Sequence, residues 1–284
     1  MIPPLIIPEA VPRARRQANA FTLMELLIVV AVIVTLMALA VPAFQAVRGS
    51  TDFGSDVYNI AGAFEQARAY AMANNTYVLA GIMEVNSSQS ATAVPQVSGT
   101  GRIAIAVIAS KTGARPYDIN GLSNWPSIYN TGATTTNGGG FIAVSRLATF
   151  PNIHLVDLQN STSIPPASGN MARATVSAAY NLSNAQSASQ NPLQSGVTIF
   201  GWPLGALLAA PPQYTFQSVV EFDPVGSARV INTVNLDAIP HFIELALEPA
   251  NGIAAATPST NQNTGQLAAV QIDGISGAIR IYRP

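Results

Sequence analysis

The feature that most constrains this chain is an apolar segment of 21 residues, Phe21–Val41, in which Glu25 is the only ionisable side chain. A helix of this length spans about 30 Å, which is the thickness of the hydrocarbon core of a bilayer. Positive charge before a spanning helix favours a cytoplasmic N-terminus, and three arginines precede the segment: Arg13, Arg15 and Arg16. The sequence therefore predicts a transmembrane helix over residues 21–47 and an exported remainder.

The residues around the start of this segment resemble a processing signal. Ala20-Phe21-Thr22-Leu23-Met24-Glu25 resembles the type III signal of type IV prepilins and type II secretion pseudopilins. In that superfamily a prepilin peptidase cleaves before the phenylalanine and N-methylates it. The resemblance implies cleavage between Ala20 and Phe21, N-methylation of Phe21 and loss of a leader of residues 1–20. The family usually has glycine before the cut, and this chain has Ala20 instead.

The resemblance also assigns a role to Glu25. In this family the filament core consists of packed N-terminal helices, and a carboxylate buried there is tolerated only when it is paired. The partner implied by the family is the methylated amine of the first residue of a neighbouring subunit, here Phe21. Glu25 would then set the axial register of the filament during assembly.

Composition narrows the class of the part that follows. The chain has 13 Lys+Arg and 14 Asp+Glu. Removing residues 1–20 deletes three arginines and Glu9, which leaves 10 basic and 13 acidic residues and a net charge of −3. This balance disfavours a nucleic-acid-binding domain, which needs a basic surface. Cysteine is absent, so a hydrophobic core rather than disulfide bonds must hold the exported part together.

Apolar spacing predicts one further helix and a set of strands. A stripe at intervals of three and four residues indicates an amphipathic helix over about residues 51–74: Phe53, Val57, Ile60, Phe64, Ala67 and Ala71. Nine runs have strand composition: Tyr77–Val85, Arg102–Ser110, Phe141–Ser145, Ile153–Leu158, Val197–Phe200, Ser218–Phe222, Phe242–Glu248, Leu267–Asp273 and Ala278–Tyr282. A short hairpin over residues 273–277 joins the last two. Polar segments between the runs predict long loops.

Three motifs, in order along the chain, resemble the H-type minor pseudopilins of type II secretion (GspH/FimT-like). The first is Ala67-Arg68 on the helix, the second is the turn from Phe222 and Asp223 to Gly226, and the third is Gly277 with Arg280 in the closing hairpin. The segment 86–217 resembles nothing in that family and is longer than its equivalent there. A lineage-specific pseudopilin with an expanded head is the alternative within the same class.

The resemblance implies an α+β, pilin-like fold. It consists of a long N-terminal α-helix, with a transmembrane half and an amphipathic half, packed on an antiparallel β-sheet head with long loops. The expected organisation is a cleaved leader (1–20), a transmembrane and filament-core helix (21–47) and a periplasmic head (48–284). The expected location is the bacterial inner membrane, crossed once, with assembly into a periplasmic filament.

The residues offer little support for catalysis or for cofactor binding. His154 and His241 lie in separate strand-like runs without metal-ligand spacing, and we interpret them as ordinary strand-edge histidines. No Gly-x-Ser-x-Gly elbow or clustered calcium loop is present. Four aromatic residues near prolines and glycines are interpreted as covering the core rather than as a binding patch: Trp125, Tyr129, Phe200 and Trp202.

The function implied is that of a minor pseudopilin, a structural subunit with no enzymatic activity, metal or cofactor. Its partners would be a prepilin peptidase, other major and minor pseudopilins, an inner-membrane assembly platform and secreted cargo. One alternative is a minor type IV pilin that binds DNA during uptake, for which Arg280 and Arg283 near the C-terminus are the candidate contacts. Another is a signal-anchored periplasmic enzyme.

Overall fold

A computed structural model describes most of the chain. The described residues are 23–115, 140–156, 158, 173–174, 176–177, 180–183, 199–204, 212–231, 239–252, 254–255 and 267–283. The chain divides into two compact units, Met1–Arg48 and Gly49–Pro284.

One long α-helix, α1 (Leu23–Asn74), runs from the first unit into the second. Within the second unit, all six residues of the apolar stripe from Phe53 to Ala71 are buried, so this prediction is confirmed. The helix ends at Asn74, which is the predicted end of the amphipathic helix. Asn75 has a φ of 48°, a left-handed conformation that asparagine tolerates better than most residues, and the amide of Thr76 donates to the carbonyl of Ala71 at 3.1 Å.

The described part of the second unit is otherwise built from strands. They are β1 (Val78–Asn86), β2 (Gly101–Ser110), β3 (Phe141–Ala143), β4 (Ala148–Pro151), β5 (Ile153–Leu155), β6 (Phe200–Trp202), β7 (Tyr214–Phe216), β8 (Ser218–Phe222), β9 (Ala228–Val230), β10 (Phe242–Asn251), β11 (Ala254–Ala255), β12 (Ala268–Asp273) and β13 (Ile279–Tyr282).

These strands form three antiparallel sheets. The six-stranded sheet has the order β3-β2-β1-β8-β9, with β4 also paired to β2. The five-stranded sheet has the order β11-β10-β12-β13, with β5 paired to β10, and β6 with β7 forms a two-stranded ribbon. The predicted hairpin is confirmed, because β12 pairs with β13 and the amide of Gly277 donates to the carbonyl of Asp273 at 2.7 Å.

The main core lies between α1 and the two larger sheets. It joins the helix stripe to alternate residues of β1, β2 and β8 from one sheet and of β10 and β12 from the other. The opposite face of the six-stranded sheet is covered by the ribbon, where the rings of Phe200 and Phe216 stack at 4.8 Å. Both faces of β1 and β2 are therefore buried, which explains their nearly continuous apolar sequence.

The chain passes from one larger sheet to the other at a single residue. Asn152 stands between β4 of the six-stranded sheet and β5 of the five-stranded sheet, with a φ of 59°. Its amide donates to the carbonyl of Gly101 at 2.8 Å, and its carbonyl accepts from the amide of Ala250 at 2.8 Å. These bonds attach the crossing to both sheets, so we call this region the inter-sheet seam.

Two of the structural predictions are wrong. Within the described ranges, no helix is both long enough and apolar enough to cross a membrane. This finding overturns the transmembrane half of the helix and the single-pass location in the inner membrane. The predicted fold class is overturned as well, because the described part of the protein has more strand than helix and its strands are distributed among three sheets rather than gathered in one head sheet. Seven helix residues from Phe53 to Ala71 belong to the main core.

Other predictions lie partly beyond the described residues. Ala20 and Phe21 are outside them, as are Trp125, Tyr129 and most of the long polar segments. Four short strands that the sequence did not predict are present: β4, β7, β9 and β11. Strands of two to four residues have too few positions to show a period of two, which is why the pattern missed them.

Candidate functional site

Three separate motifs of the sequence meet at one place in the second unit. A Cβ added to Gly277 would lie 2.1 Å from the carbonyl oxygen of Gly226 and 3.0 Å from Cδ of Arg68. A Cβ on Gly226 would lie 2.8 Å from the sulfur of Met72. The helix motif, the turn after β8 and the closing hairpin are therefore in contact. We call Arg68, Gly226 and Gly277 the motif junction.

Both turns of the motif junction are stabilised by the same kind of hydrogen bond, from backbone amides to an aspartate side chain. Oδ1 of Asp223 accepts from the amides of Val225 and Ser227 at 3.1 and 2.8 Å, and Oδ1 of Asp273 accepts from Ile275 and Ser276. Each is an Asx-type turn in which a carboxylate replaces a backbone acceptor. Hydrogen bonds from Ser276 lower the pKa of Asp273, an effect that burial opposes and that Ile275 and Arg280 assist.

Glycine is required at both turns. Gly226 has a φ of 91° and Gly277 a φ of 63°, which most residues adopt only at a steric cost. The two turns are also joined directly, since the amide of Ala228 donates to the carbonyl of Gly274 at 2.8 Å. The absence of a side chain at these positions allows two backbone turns and an arginine stem to lie against one another.

The arginine of the motif junction holds the helix to these turns mainly through its stem. Its head is 3.6 Å from the carboxylate of Glu65, and this pair is partly exposed, so it contributes little to stability. The Nε of Arg68 is buried and has no hydrogen-bond partner among the described residues. Packing of the Arg68 aliphatic chain is therefore its main contribution.

The remaining motif residues have structural positions around this junction. Ala67 and Phe222 are fully buried in the main core. Arg280 is exposed on β13, opposite Gln271 in the register of β12. Glu25 lies in the first turn of α1 in the other unit and is exposed.

The first unit has an unusual surface. Over Leu23–Met37, twelve large apolar side chains are between 45% and 81% exposed. They occur at nearly consecutive positions and so surround the helix rather than forming a stripe. A helix that is apolar on all sides is normally buried against other elements, and an exposed apolar surface of this kind marks an interaction site.

The sequence did not predict the buried charges of the second unit. Glu84, Glu221 and Glu244 are 3%, 1% and 0% exposed, respectively. Each of these carboxylates stands in a mostly apolar strand. A carboxylate in such a strand indicates a buried charge, and a buried charge requires a partner. The partners come from distant parts of the chain, which the sequence does not indicate.

Two of these carboxylates are paired with arginines. Glu221 accepts from Nη2 of Arg115 at 2.7 Å, and Arg115 lies over the ring of Tyr77. Glu244 is 2.7 Å from Nη1 of Arg173, with the two side chains 0% and 4% exposed. These pairs attach the segments that contain Arg115 and Arg173 to the sheets, which is a structural role.

The described residues offer no evident place for a metal ion, since they include no group of three or more potential ligands. The aromatic residues near the ribbon cover the core as predicted, with Phe200 fully buried and Trp202 packed beside it.

Comparison of the chain with protein-family models, with curated proteins and with solved structures found no match.

Proposed function

We propose that this protein is a minor pseudopilin, a structural and non-enzymatic subunit that joins a short filament through its N-terminal helix. A prepilin peptidase would first remove residues 1–20 and methylate Phe21. The partners would be other pseudopilins and the platform that assembles them. Secreted cargo would contact the β-rich unit.

The observation that carries this proposal is the exposed apolar surface of Leu23–Met37. The occupant that fits it best is the same segment of neighbouring subunits, because helices apolar on all sides satisfy one another in a bundle. The processing signal supports this choice, since it resembles that of proteins that assemble in this way. Arg68, Gly226 and Gly277 are in contact, so the three motifs of the resemblance together hold α1 to the two turns.

A DNA-uptake role has less support. Arg283, one of its two candidate contacts, lies over the ring of Tyr58 at 5.2 Å and donates to the carbonyl of Gly54 at 3.2 Å. The arginine is thus engaged with α1. DNA affinity depends on the number of phosphate contacts, and Arg280 alone would supply few.

Replacing Val30 with aspartate tests the proposed use of the helix. We expect Val30→Asp to reduce incorporation into filaments at least tenfold, because an unpaired charge buried among helices costs several kcal/mol and 1.4 kcal/mol already corresponds to a factor of ten. The measurement is the fraction of full-length chain in sheared filaments after co-expression with a prepilin peptidase and other pseudopilins. Ala69→Asp places the same charge on an exposed helical position of the other unit and is the matched control. Equal incorporation of both variants would contradict the proposal.

Replacing Glu25 with alanine tests the register role. We expect Glu25→Ala to be cleaved before Phe21 as efficiently as the unaltered chain but to be incorporated less. Mass spectrometry of the N-terminus measures cleavage and methylation separately from assembly. A normally processed and normally incorporated variant would remove the role of the carboxylate and leave the helix surface as the sole determinant. An N-terminus other than methylated Phe21 in the unaltered chain would overturn the pseudopilin assignment itself.

A further inference from the structure

A cluster of three ionisable side chains lies at the inter-sheet seam. Glu84, at the end of β1 in the six-stranded sheet, is 2.8 Å from Nδ1 of His154 on β5 of the five-stranded sheet. Glu248 of β10 stands opposite His154 in the register of that sheet. Glu84 and Glu248 are 3% and 8% exposed and the His154 side chain is 25% exposed, so two buried carboxylates flank one partly buried imidazole.

The carboxylate of Glu84 is hydrogen-bonded to both of the larger sheets. It accepts from the amide of Gly101 at 2.9 Å within its own sheet. It accepts from Nδ1 of His154 at 2.8 Å and from the amide of Leu155 at 3.3 Å in the other sheet. Three donors thus satisfy one buried carboxylate, and two of them come from the other sheet. The same stretch of chain contains the crossing residue Asn152.

Charge balance at this link depends on the imidazole. The nearest cation on β2 is Arg102, which donates instead to the carbonyls of Asn86 and Gln89 and to Oε1 of Gln96. Protonated His154 therefore provides the positive charge that faces Glu84 and Glu248. When the imidazole is neutral, Nδ1–H can still donate a hydrogen bond, but two buried carboxylates lose their counter-charge.

We propose that the cluster of Glu84, His154 and Glu248 is a pH-dependent latch between the two larger sheets, closed while His154 is protonated and weakened when it loses its proton. This inference does not rest on the proposed filament function. It concerns how the β-rich unit responds to its surroundings, whatever that unit contacts.

The direction of the pH effect follows from the environment of the imidazole. Burial lowers the pKa of His154, but the hydrogen bond and charge of Glu84, with the charge of Glu248, raise it more, so the pKa lies above 6.5. A raised pKa in the folded state contributes stability that is fully present below about pH 6.5 and is lost as the pH rises through the folded value. Burial also raises the pKa of Glu248, which nearby His154 opposes and Glu84 assists. The raised pKa of Glu248 likewise makes the folded state less stable as the pH rises.

The test is a pH titration of the full chain by NMR, together with thermal unfolding. The chain has two histidines, and the spectrum of His241→Asn assigns the remaining ring signals to His154. We expect the His154 ring signals to titrate above pH 6.5. We also expect the Tm to fall by about 2 °C or more between pH 6 and pH 9, a shift typical of a modest loss of stability for a domain of this size.

Two variants separate the latch from general effects of pH. His154→Asn retains a donor near the position of Nδ1 but cannot be protonated, so its Tm should change less between pH 6 and pH 9 than that of the unaltered chain. His241→Asn should retain the full change. Titration of His154 at or below pH 6.5 would overturn the proposal, as would an equal pH effect on the Tm in His154→Asn. If His154→Asn does not fold, the titration of the unaltered chain decides alone.

Discussion

Replacement of Gly277 by alanine is expected to lower the free energy of unfolding by about 3 kcal/mol or more. Two costs combine. A residue with a Cβ pays about 1–2 kcal/mol to adopt a left-handed conformation, and Gly277 has a φ of 63°. The new Cβ would also lie 2.1 Å from the carbonyl oxygen of Gly226. Because that oxygen belongs to the backbone of another turn, one of the two turns must move, and rearrangements of this kind are among the most destabilising single changes.

Urea denaturation of the full chain measures this effect, with the midpoint and slope analysed together. Gly62→Ala is the matched control, because Gly62 is an exposed position of α1 where a Cβ meets nothing within 4 Å. This control should stabilise the chain by about 0.5–1 kcal/mol, the ordinary gain for alanine over glycine inside a helix. A loss below about 1 kcal/mol for Gly277→Ala would show that the motif junction does not hold α1 and the two turns together.

Replacement of Arg173 by methionine is expected to destabilise the chain by about 3–5 kcal/mol, the usual cost of removing one partner of a buried ion pair. Arg173 and Glu244 are 2.7 Å apart and almost fully buried. Nε2 of Gln271 also donates to Glu244, at 2.9 Å. Without the guanidinium, the amide of Gln271 cannot neutralise the charge that remains beside it.

A double variant shows whether the loss comes from the unbalanced charge. Arg173→Met combined with Glu244→Gln removes both charges and keeps an acceptor for Gln271, so it should recover most of the lost stability in the same denaturation experiment. Arg280→Met removes an exposed arginine and should change stability by less than about 0.5 kcal/mol, as surface substitutions usually do. A double variant as unstable as Arg173→Met would indicate that the packing of the Arg173 stem, rather than its charge, holds this segment.

Local patterns predicted local structure well. The stripe from Phe53 to Ala71 identified the buried face of α1, because a period of 3.6 residues follows from helix geometry alone. The end of the helix at residue 74 and the hairpin over residues 273–277 were also predicted from local sequence, and both are present. Each of these features depends on residues that are neighbours in sequence.

The fold class and the membrane location were predicted incorrectly. The location was inferred from the apolar segment and the arginines before it. The fold class was inferred from the family resemblance, which implies a single head sheet. At Asn152, β4 of the six-stranded sheet ends and β5 of the five-stranded sheet begins after this one residue. Nothing in a one-residue gap between two short apolar runs indicates that the chain changes sheets there.

The candidate sites also combine features that the sequence predicts with contacts that only the tertiary structure determines. The sequence alone determined an apolar N-terminal segment containing one carboxylate, an amphipathic helix, a set of strands and two glycine turns. Each of these features depends on residues that are close together in the sequence. The tertiary structure alone decided that Arg68, Gly226 and Gly277 touch, and that Glu84, Glu221 and Glu244 find their partners inside the protein. Those contacts join residues that are tens to more than a hundred positions apart in the chain. Only the packing of the sheets and of α1 determines which distant charges and glycines meet, because burial makes an unpaired charge or a misplaced Cβ too costly to tolerate.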